Sequence, residues 1–254
     1  MSNIEKAKFG IEPLDYILPE GILRNSFIVF AGKGGAGKSL LLMGIAKRFL
    51  ENGEPVIYFA LDDDPITIVK QFQLFEVSIN EYVKRELFYI IDGYSFRIRG
   101  KEERMHISVI EEVDPQNLTQ VINICTKILD DQRIMNKGLF IIDSINEFLT
   151  LYEVNKAIEL IKNLRANISK ARGIIVLSSL HTSSQIARNF LSLIEHIVDG
   201  IILTEAIVKS FTSSTELIMI RRLRVKRMKG VPHYVNWIPY VIERSDIKII
   251  TTVP

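Results

Sequence analysis

The chain has 254 residues, 47% of them hydrophobic, enough to bury a sizeable core in one domain spanning residues 1–254. Lys and Arg total 32 against 30 Asp and Glu, a formal net charge of +2, so no global imbalance points to a polyanionic or acidic partner. Cys125 stands alone and excludes an internal disulfide, no apolar run approaches bilayer length, and the N-terminus has no signal-like apolar region; a cytoplasmic protein with no membrane partner is expected.

Residues 9–18 place Ile11, Leu14, Ile17 and Leu18 at helical spacing and predict a short helix against the core. Residues 27–31 are wholly apolar and read as a buried strand; residues 40–50 carry an apolar helical pattern. Between them stand Gly32, Lys33, Gly34, Gly35, Ala36, Gly37, Lys38 and Ser39, which fit G-x-x-x-x-G-K-[ST]. Glycines let backbone N–H groups turn inward around a polyphosphate, and the helix that follows points its positive end at the same anion. The segment from Gly32 to Leu40 is therefore the candidate nucleotide-binding element. Lys38 is expected to reach the β- and γ-phosphates, and the Ser39 hydroxyl to ligate Mg²⁺.

Gly53-Glu54-Pro55 breaks the chain, and residues 56–61 read as a second buried strand. It ends in Asp62-Asp63-Asp64-Pro65. Asp62 or Asp63 is a candidate base or water-positioning group for attack on a γ-phosphate, while Asp64 before Pro65 suits a helix cap. A helix over 65–76 and a strand over 87–91 follow. Residues 94–106 interleave Arg97, Arg99, Lys101 and Arg104 with Tyr94 and Phe96, a pattern that suits single-stranded DNA but is read first as a solvated loop. A helix starts near Asp114, with Leu118, Val121, Ile122, Cys125 and Leu129 at helical spacing; Cys125 is expected to be a buried, inert thiol.

Residues 138–144, G-L-F-I-I-D-S, form the second strong signal. An apolar strand ending in Asp143 is the Walker B pattern, whose carboxylate holds the Mg²⁺ water shell beside Ser39. Asn136-Lys137 lacks the Asp of a guanine-reading signature, which favours ATP over GTP. An amphipathic helix is read over 149–170 and a strand over 174–177. His181 follows as a γ-phosphate sensor or, in the blander reading, a structural hydrogen-bonding residue. Residues 200–203 form a further strand. Residues 217–229 then alternate apolar residues with Arg221, Arg222, Arg224, Lys226, Arg227 and Lys229, as a strand with one wet face would. That strand either protects a sheet edge or faces phosphates. Two more strands are expected over 238–242 and 247–250. The order gives an α/β fold: a RecA-like P-loop core with a mainly parallel central sheet flanked by helices and a β-rich C-terminal end.

Those residues carry a resemblance. The chain is similar to archaeal KaiC-like proteins, the group within the RecA superfamily that includes RadA paralogues. F-G-I-E-P-L-D-Y-I-L resembles the family opening G-I-x-x-L-D-x-x-L, although Pro19-Glu20-Gly21 stands where Gly-Gly is usual. The P-loop, I-I-D-S at 141–144, V-D-G-I-I-L at 198–203 and K-G-V-P-H at 229–233 fit in order and spacing. The resemblance implies that the family's Glu-Glu pair falls on Asp62 and Asp63. It also implies that the K-x-R pair, which reaches a neighbouring subunit's γ-phosphate, falls on Arg227 and Lys229 with the residue types exchanged. Glu195 and His196 occupy the place of the clock protein's autophosphorylated Ser-Thr pair, which disfavours an autokinase. The function implied is ATP binding and hydrolysis in a ring (a hexamer) or filament of this chain. Single-stranded DNA or a recombinase is a further expected partner in DNA recombination and repair. The alternative is an ATP-dependent regulatory or DNA-binding module with slow hydrolysis.

Overall fold

The computed structural model describes residues 5–98, 106–210, 217–243 and 245–250. In chain order the elements are β1 (Lys6–Ala7), α1 (Glu12–Ile17), β2 (Ile22–Leu23), β3 (Phe27–Gly32), α2 (Lys38–Glu51), β4 (Val56–Ala60), α3 (Pro65–Phe72), α4 (Ile79–Lys84), β5 (Phe88–Asp92), β6 (Val109–Glu112), α5 (Leu118–Asp131), β7 (Leu139–Asp143), α6 (Asn146–Leu151), α7 (Val154–Leu164), β8 (Ile175–His181), α8 (Gln185–Ile194), β9 (Gly200–Ser210), β10 (Leu217–Met228), β11 (Ile238–Ile242) and β12 (Ile247–Ile249).

The main sheet has ten strands in the order β12-β11-β10-β9-β3-β8-β7-β4-β5-β6. Neighbours from β9 through β6 run parallel; β10, β11 and β12 extend the sheet antiparallel. The central strands are apolar at successive positions because both of their faces are covered. Ile28 and Phe30 of β3 point into a cluster with Leu41, Leu42 and Ile45 of α2 and Phe72 of α3. The alternate residues Phe27, Val29 and Ala31 point the other way, into a cluster with Val121 and Cys125 of α5, Leu164 of α7 and Phe190 of α8. Cys125 is fully enclosed, and burial pushes its thiol pKa up, as an inert core residue requires.

Several readings of the sequence change. The helix expected over 149–170 is divided: α6 ends at Tyr152, which is extended (φ −132°, ψ 156°), with its hydroxyl anchored to the Pro115 carbonyl at 2.6 Å. α7 then starts afresh and runs into a π-helical turn over Arg165–Lys170. The helix expected from Asp114 starts later, where Asn117 caps α5 by accepting from Gln120 N at 3.0 Å. β1, β2, α4, β6 and α8 were not anticipated. β6 is a four-residue edge strand, two apolar residues followed by two glutamates, with an irregular register, which leaves little periodicity to read. β8 runs on to His181, so the polar residues Ser178 and Ser179 lie within a strand.

One glycine of the loop after β3 is required by the sheet itself. A Cβ on Gly32 would lie 2.2 Å from the Thr204 carbonyl oxygen of β9, whereas one on Gly34 would meet nothing within 4 Å. Gly32→Ala is expected to cost roughly 1–3 kcal/mol by forcing β9 away. Gly34→Ala should leave the melting temperature unchanged. Thermal denaturation of the two nucleotide-free variants checks this, and equal melting temperatures would refute it.

Candidate active site

The loop from β3 to α2 combines open and enclosed residues. Lys33, Gly34 and Gly35 face solvent; Ala36 and Lys38 are buried. Gly35 and Gly37 adopt φ of 78° and 83°, a region that favours glycine and that curls the backbone around a concavity. The first intrahelical bond of α2 runs from Leu41 N to the Gly37 carbonyl at 2.9 Å. The N–H groups of Lys38, Ser39 and Leu40 therefore lie ahead of the helical ladder and are available to an anion.

Lys38 is 2% exposed. Its ammonium donates to the carbonyls of Gly32 and Lys33, each at 2.9 Å, which uses two of its three N–H donors. Burial pulls its pKa down to about 8, against the opposing pull of the Asp143 and Asp62 charges.

The strand order brings the other groups to the same edge. β3, β8, β7 and β4 are successive neighbours, and their carboxyl ends deliver the loop, His181, Asp143 and Asp62 in turn. Asp143 is buried and accepts from the Tyr58 hydroxyl at 2.6 Å and from the Ser179 hydroxyl. Leu61 N and Asp62 N both donate to the Asp143 carbonyl, which fixes the start of the acidic run against β7. The Asp62 carboxylate lies 3.4 Å from His181 Nε2. Burial pushes the Asp62 carboxyl up, but hydrogen bonds from His181 and Ser144 outweigh it and hold the pKa below its usual value. His181 is itself fixed by Asn146, which accepts from the His181 N–H at 2.7 Å and donates to its carbonyl at 3.0 Å.

The two remaining aspartates separate. Asp63 accepts from Gln71 at 3.2 Å, and burial with three neighbouring carboxylates raises its pKa. Asp64 caps α3, accepting from Ile66 N and Thr67 N at 3.0 Å each, as the sequence reading expected. Ser39, Tyr58, Asp62, Asp63, Asp143 and His181 line one cavity of about 210 Å³. Sequence reasoning missed Tyr58 and Asn146, and it placed the polar end of β8, Ser179 included, beside the nucleotide without assigning Ser179 a partner. Tyr58 and Ser179 are hydroxyls inside strands, and only the register between strands shows that they share a carboxylate.

The donor set fits Mg²⁺ with a nucleotide. Ser39 and Asp143 offer hard oxygens, and Asp143 retains acceptor capacity beyond its two hydroxyl partners. Among the described residues no cluster of three or more His, Cys, Asp or Glu could hold a metal alone, so the phosphates would complete the shell.

Arg227 and Lys229 lie elsewhere. β10 runs antiparallel to β9, and Arg227 pairs with Ile201 and Met228 with Gly200, opposite the start of β3. Both cations thus stand at the sheet edge opposite the loop. Arg227 donates to the Glu195 carbonyl, and Lys229, one residue past β10, donates to those of His196 and Ile197. Arg97 is stacked on Phe96 at 4.3 Å and paired with Glu147. Arg99, Lys101 and Arg104 lie outside the described residues.

With this geometry in place, comparison with known proteins decides the family. The profile of the KaiC ATPase family matches residues 7–253. The chain belongs to the KaiC ATPase family. This KaiC-family chain is similar over nearly its whole length to UPF0273 proteins of Thermotoga maritima (26% identical over 249 residues, covering 97% of this chain and 96% of that protein). Others come from Aeropyrum pernix (23%, covering 96% and 93%) and Methanocaldococcus jannaschii (26%, covering 96% of each). Membership supports an ATP-binding P-loop ATPase, and the mostly parallel sheet with its antiparallel C-terminal strands is consistent with the RecA-like fold. No helix among the described residues is long and apolar enough to cross a membrane.

Proposed function

We propose that this chain binds Mg·ATP in the loop from Gly32 to Leu40 and hydrolyses it to ADP and phosphate. The observation that carries the reading is the convergence of Ser39, Asp143, Asp62 and His181 on one cavity at the strand ends that also deliver Lys38. The loop amides and Lys38 bind the phosphates, Ser39 supplies a metal ligand, and Asp143 holds the metal's water. Mg²⁺, when bound, neutralises charge on the β- and γ-oxygens. Asp62 and His181 orient a water for in-line attack. As the water oxygen bonds to the γ-phosphorus, the bond to the β–γ bridging oxygen breaks, the water's proton passes to the Asp62 carboxylate, and ADP departs. Steady-state phosphate release tests the reading, and no Mg²⁺-dependent turnover would refute hydrolysis.

One observation favours a second reading, an ATP-dependent regulatory module with slow turnover. Asp62 is shorter than the Glu of the family and is already engaged by His181 and Ser144. Tight ATP binding without turnover would select it.

Assembly belongs to the same proposal. Arg227 and Lys229 stand too far along the sheet to serve their own loop, so any phosphate they meet is a neighbour's. In a ring or filament they would stabilise the outer charge of that γ-phosphate, a contribution of about 10³ or more in rate. Lys38→Ala subunits keep this pair and lack a working site; Arg227→Ala subunits keep the site and lack the arginine. Each alone is expected to be nearly inactive, and the mixture to recover part of the activity. Full activity of Arg227→Ala alone would refute the assembly.

A further inference from the structure

β4 reads V-I-Y-F-A, and every residue in it is buried. A phenylalanine at the third position would fill the core as Tyr58 does. The Tyr58 ring packs edge-on against Phe72, with 6.1 Å between centroids. What tyrosine adds is a hydroxyl, and a buried hydroxyl without a hydrogen-bond partner is unfavourable. Its partner here is the carboxylate that the nucleotide reading commits to the metal: Tyr58 donates to Asp143 Oδ2 at 2.6 Å.

The register explains how a residue deep in one strand reaches the end of the next. Tyr58 pairs with Ile141 of β7, and Ala60 pairs with Asp143. Tyr58, Ala60 and Ile141 belong to the cluster on the α2 side, whereas Phe59 and Ile142 belong to the other. Asp143 follows Ile142 and so returns to the α2 face. Tyr58 therefore stands deeper than Asp143 on that same face. Ala60, level with Asp143, has no side chain beyond Cβ to block the phenol. On the other flank Ile142 pairs with Ser178 of β8, and Ser179, the next residue, donates to Asp143 Oδ1. The carboxylate is thus held from both sides, with one donor from each neighbouring strand and one donor for each oxygen. The terminal torsion of an aspartate is broad and roughly two-fold, so a single donor would leave the carboxylate free to pivot. Tyr58 also lines the cavity that Ser39 and Asp143 share, so this hold lies at the wall of the site.

We propose that Tyr58 is a positioning residue for the metal of the reaction: its hydroxyl, opposed by Ser179 across the carboxylate, fixes Asp143 in the orientation from which it takes the water of Mg²⁺. The inference rests on the nucleotide reading above. In this role Tyr58 acts through Asp143. Its loss is therefore felt where the metal takes part in binding and not where the nucleotide binds the loop amides and Lys38 without metal. Groups that orient a metal-site carboxylate contribute about 10–100-fold in metal affinity or activity.

Calorimetric titration of the full chain with the non-hydrolysable β,γ-imido analogue of ATP, with and without Mg²⁺, tests this. Tyr58→Phe keeps the ring and removes only the hydroxyl. It is expected to cut the gain in affinity that Mg²⁺ confers about 10-fold, and to leave the metal-free affinity as in wild type. Ser179→Ala should cut the gain as well. The double variant should lose little more than either single one, because either loss alone frees the shared carboxylate. An unchanged Mg²⁺ gain in Tyr58→Phe would overturn the assignment and leave the hydroxyl a core hydrogen bond. An equal loss of affinity with and without Mg²⁺ would mark a general distortion of the site and overturn it too. So would losses that multiply in the double variant, since the two donors would then act independently. If wild type itself binds no analogue, or gains nothing from Mg²⁺, the nucleotide reading fails first and takes this inference with it.

Discussion

Lys38→Ala is expected to abolish ATP hydrolysis, by at least about 10³-fold, and to weaken Mg·ATP binding by roughly 10–100-fold. The Lys38 ammonium is buried where Lys33 of the same loop faces solvent, and its two carbonyl bonds aim it from the loop floor. Alanine removes the charge without replacing it. The fold should survive, because the lost bonds are offset by relief of a buried charge. The same lysine sets a pH dependence. In the free protein its pKa lies near 8; bound polyphosphate favours the charged form and raises it. Binding near pH 8 therefore takes up a proton, and affinity falls as pH rises above 8. Titrations in buffers of different ionisation enthalpy measure that uptake. Wild-type affinity in Lys38→Ala, or proton uptake that survives the substitution, would remove Lys38 from the site.

The loop and Asp143 were legible in the sequence for a physical reason. Phosphate binding by backbone amides needs glycines at fixed spacing, and a buried strand needs an uninterrupted apolar run; both leave local marks. The doubly covered strands β3, β4, β7 and β8 were legible on the same ground. What was not legible depends on register between distant segments. Tyr58, Ser179 and Asp143 come together only because β4, β7 and β8 are neighbours with aligned carboxyl ends. The basic residues of β10 alternate visibly, but alternation does not tell which end of the sheet each occupies. The antiparallel pairing with β9 puts Arg221 at the loop and Arg227 at the opposite edge. Asp62 and Asp63 are adjacent and chemically identical in sequence. Only the contact with His181 on one side and Gln71 on the other separates them.

Asp199→Ala is expected to destabilise the protein by about 3–5 kcal/mol, the cost of removing one partner from a buried ionic cluster. Asp199 precedes β9, and its side chain is 5% exposed. Its carboxylate accepts from Phe27 N at 3.0 Å and from Arg165 Nε and Nη2 at 3.0 and 2.7 Å, and it lies 3.1 Å from Lys170 Nζ. The π-helical turn matters here, because it brings both of its end residues, Arg165 and Lys170, to one carboxylate. Lys229 adds its backbone N–H to the Asp199 carbonyl at 2.8 Å. One residue therefore joins the start of β3, the end of the α7 segment and the exit of β10. Alanine would take the shared carboxylate from three cations, Arg165, Lys170 and Lys229 (Nζ at 3.9 Å), and would leave the Phe27 amide without its side-chain acceptor. Asn should cost less, since it keeps that acceptor and the side-chain shape. Burial alone would raise the Asp199 carboxyl, but the bonds from Arg165 and Phe27 and the Lys170 charge outweigh it and lower its pKa. Its contribution is thus complete above the unfolded value of about 3.9 and is lost as pH falls through the lower folded value. Urea denaturation from pH 5 to 8 should show a constant gap between wild type and Asp199→Ala, closing only in acid below about pH 4. A gap under about 1 kcal/mol at pH 7, or one that closes as pH rises instead, would show that this cluster does not hold the sheet edge together.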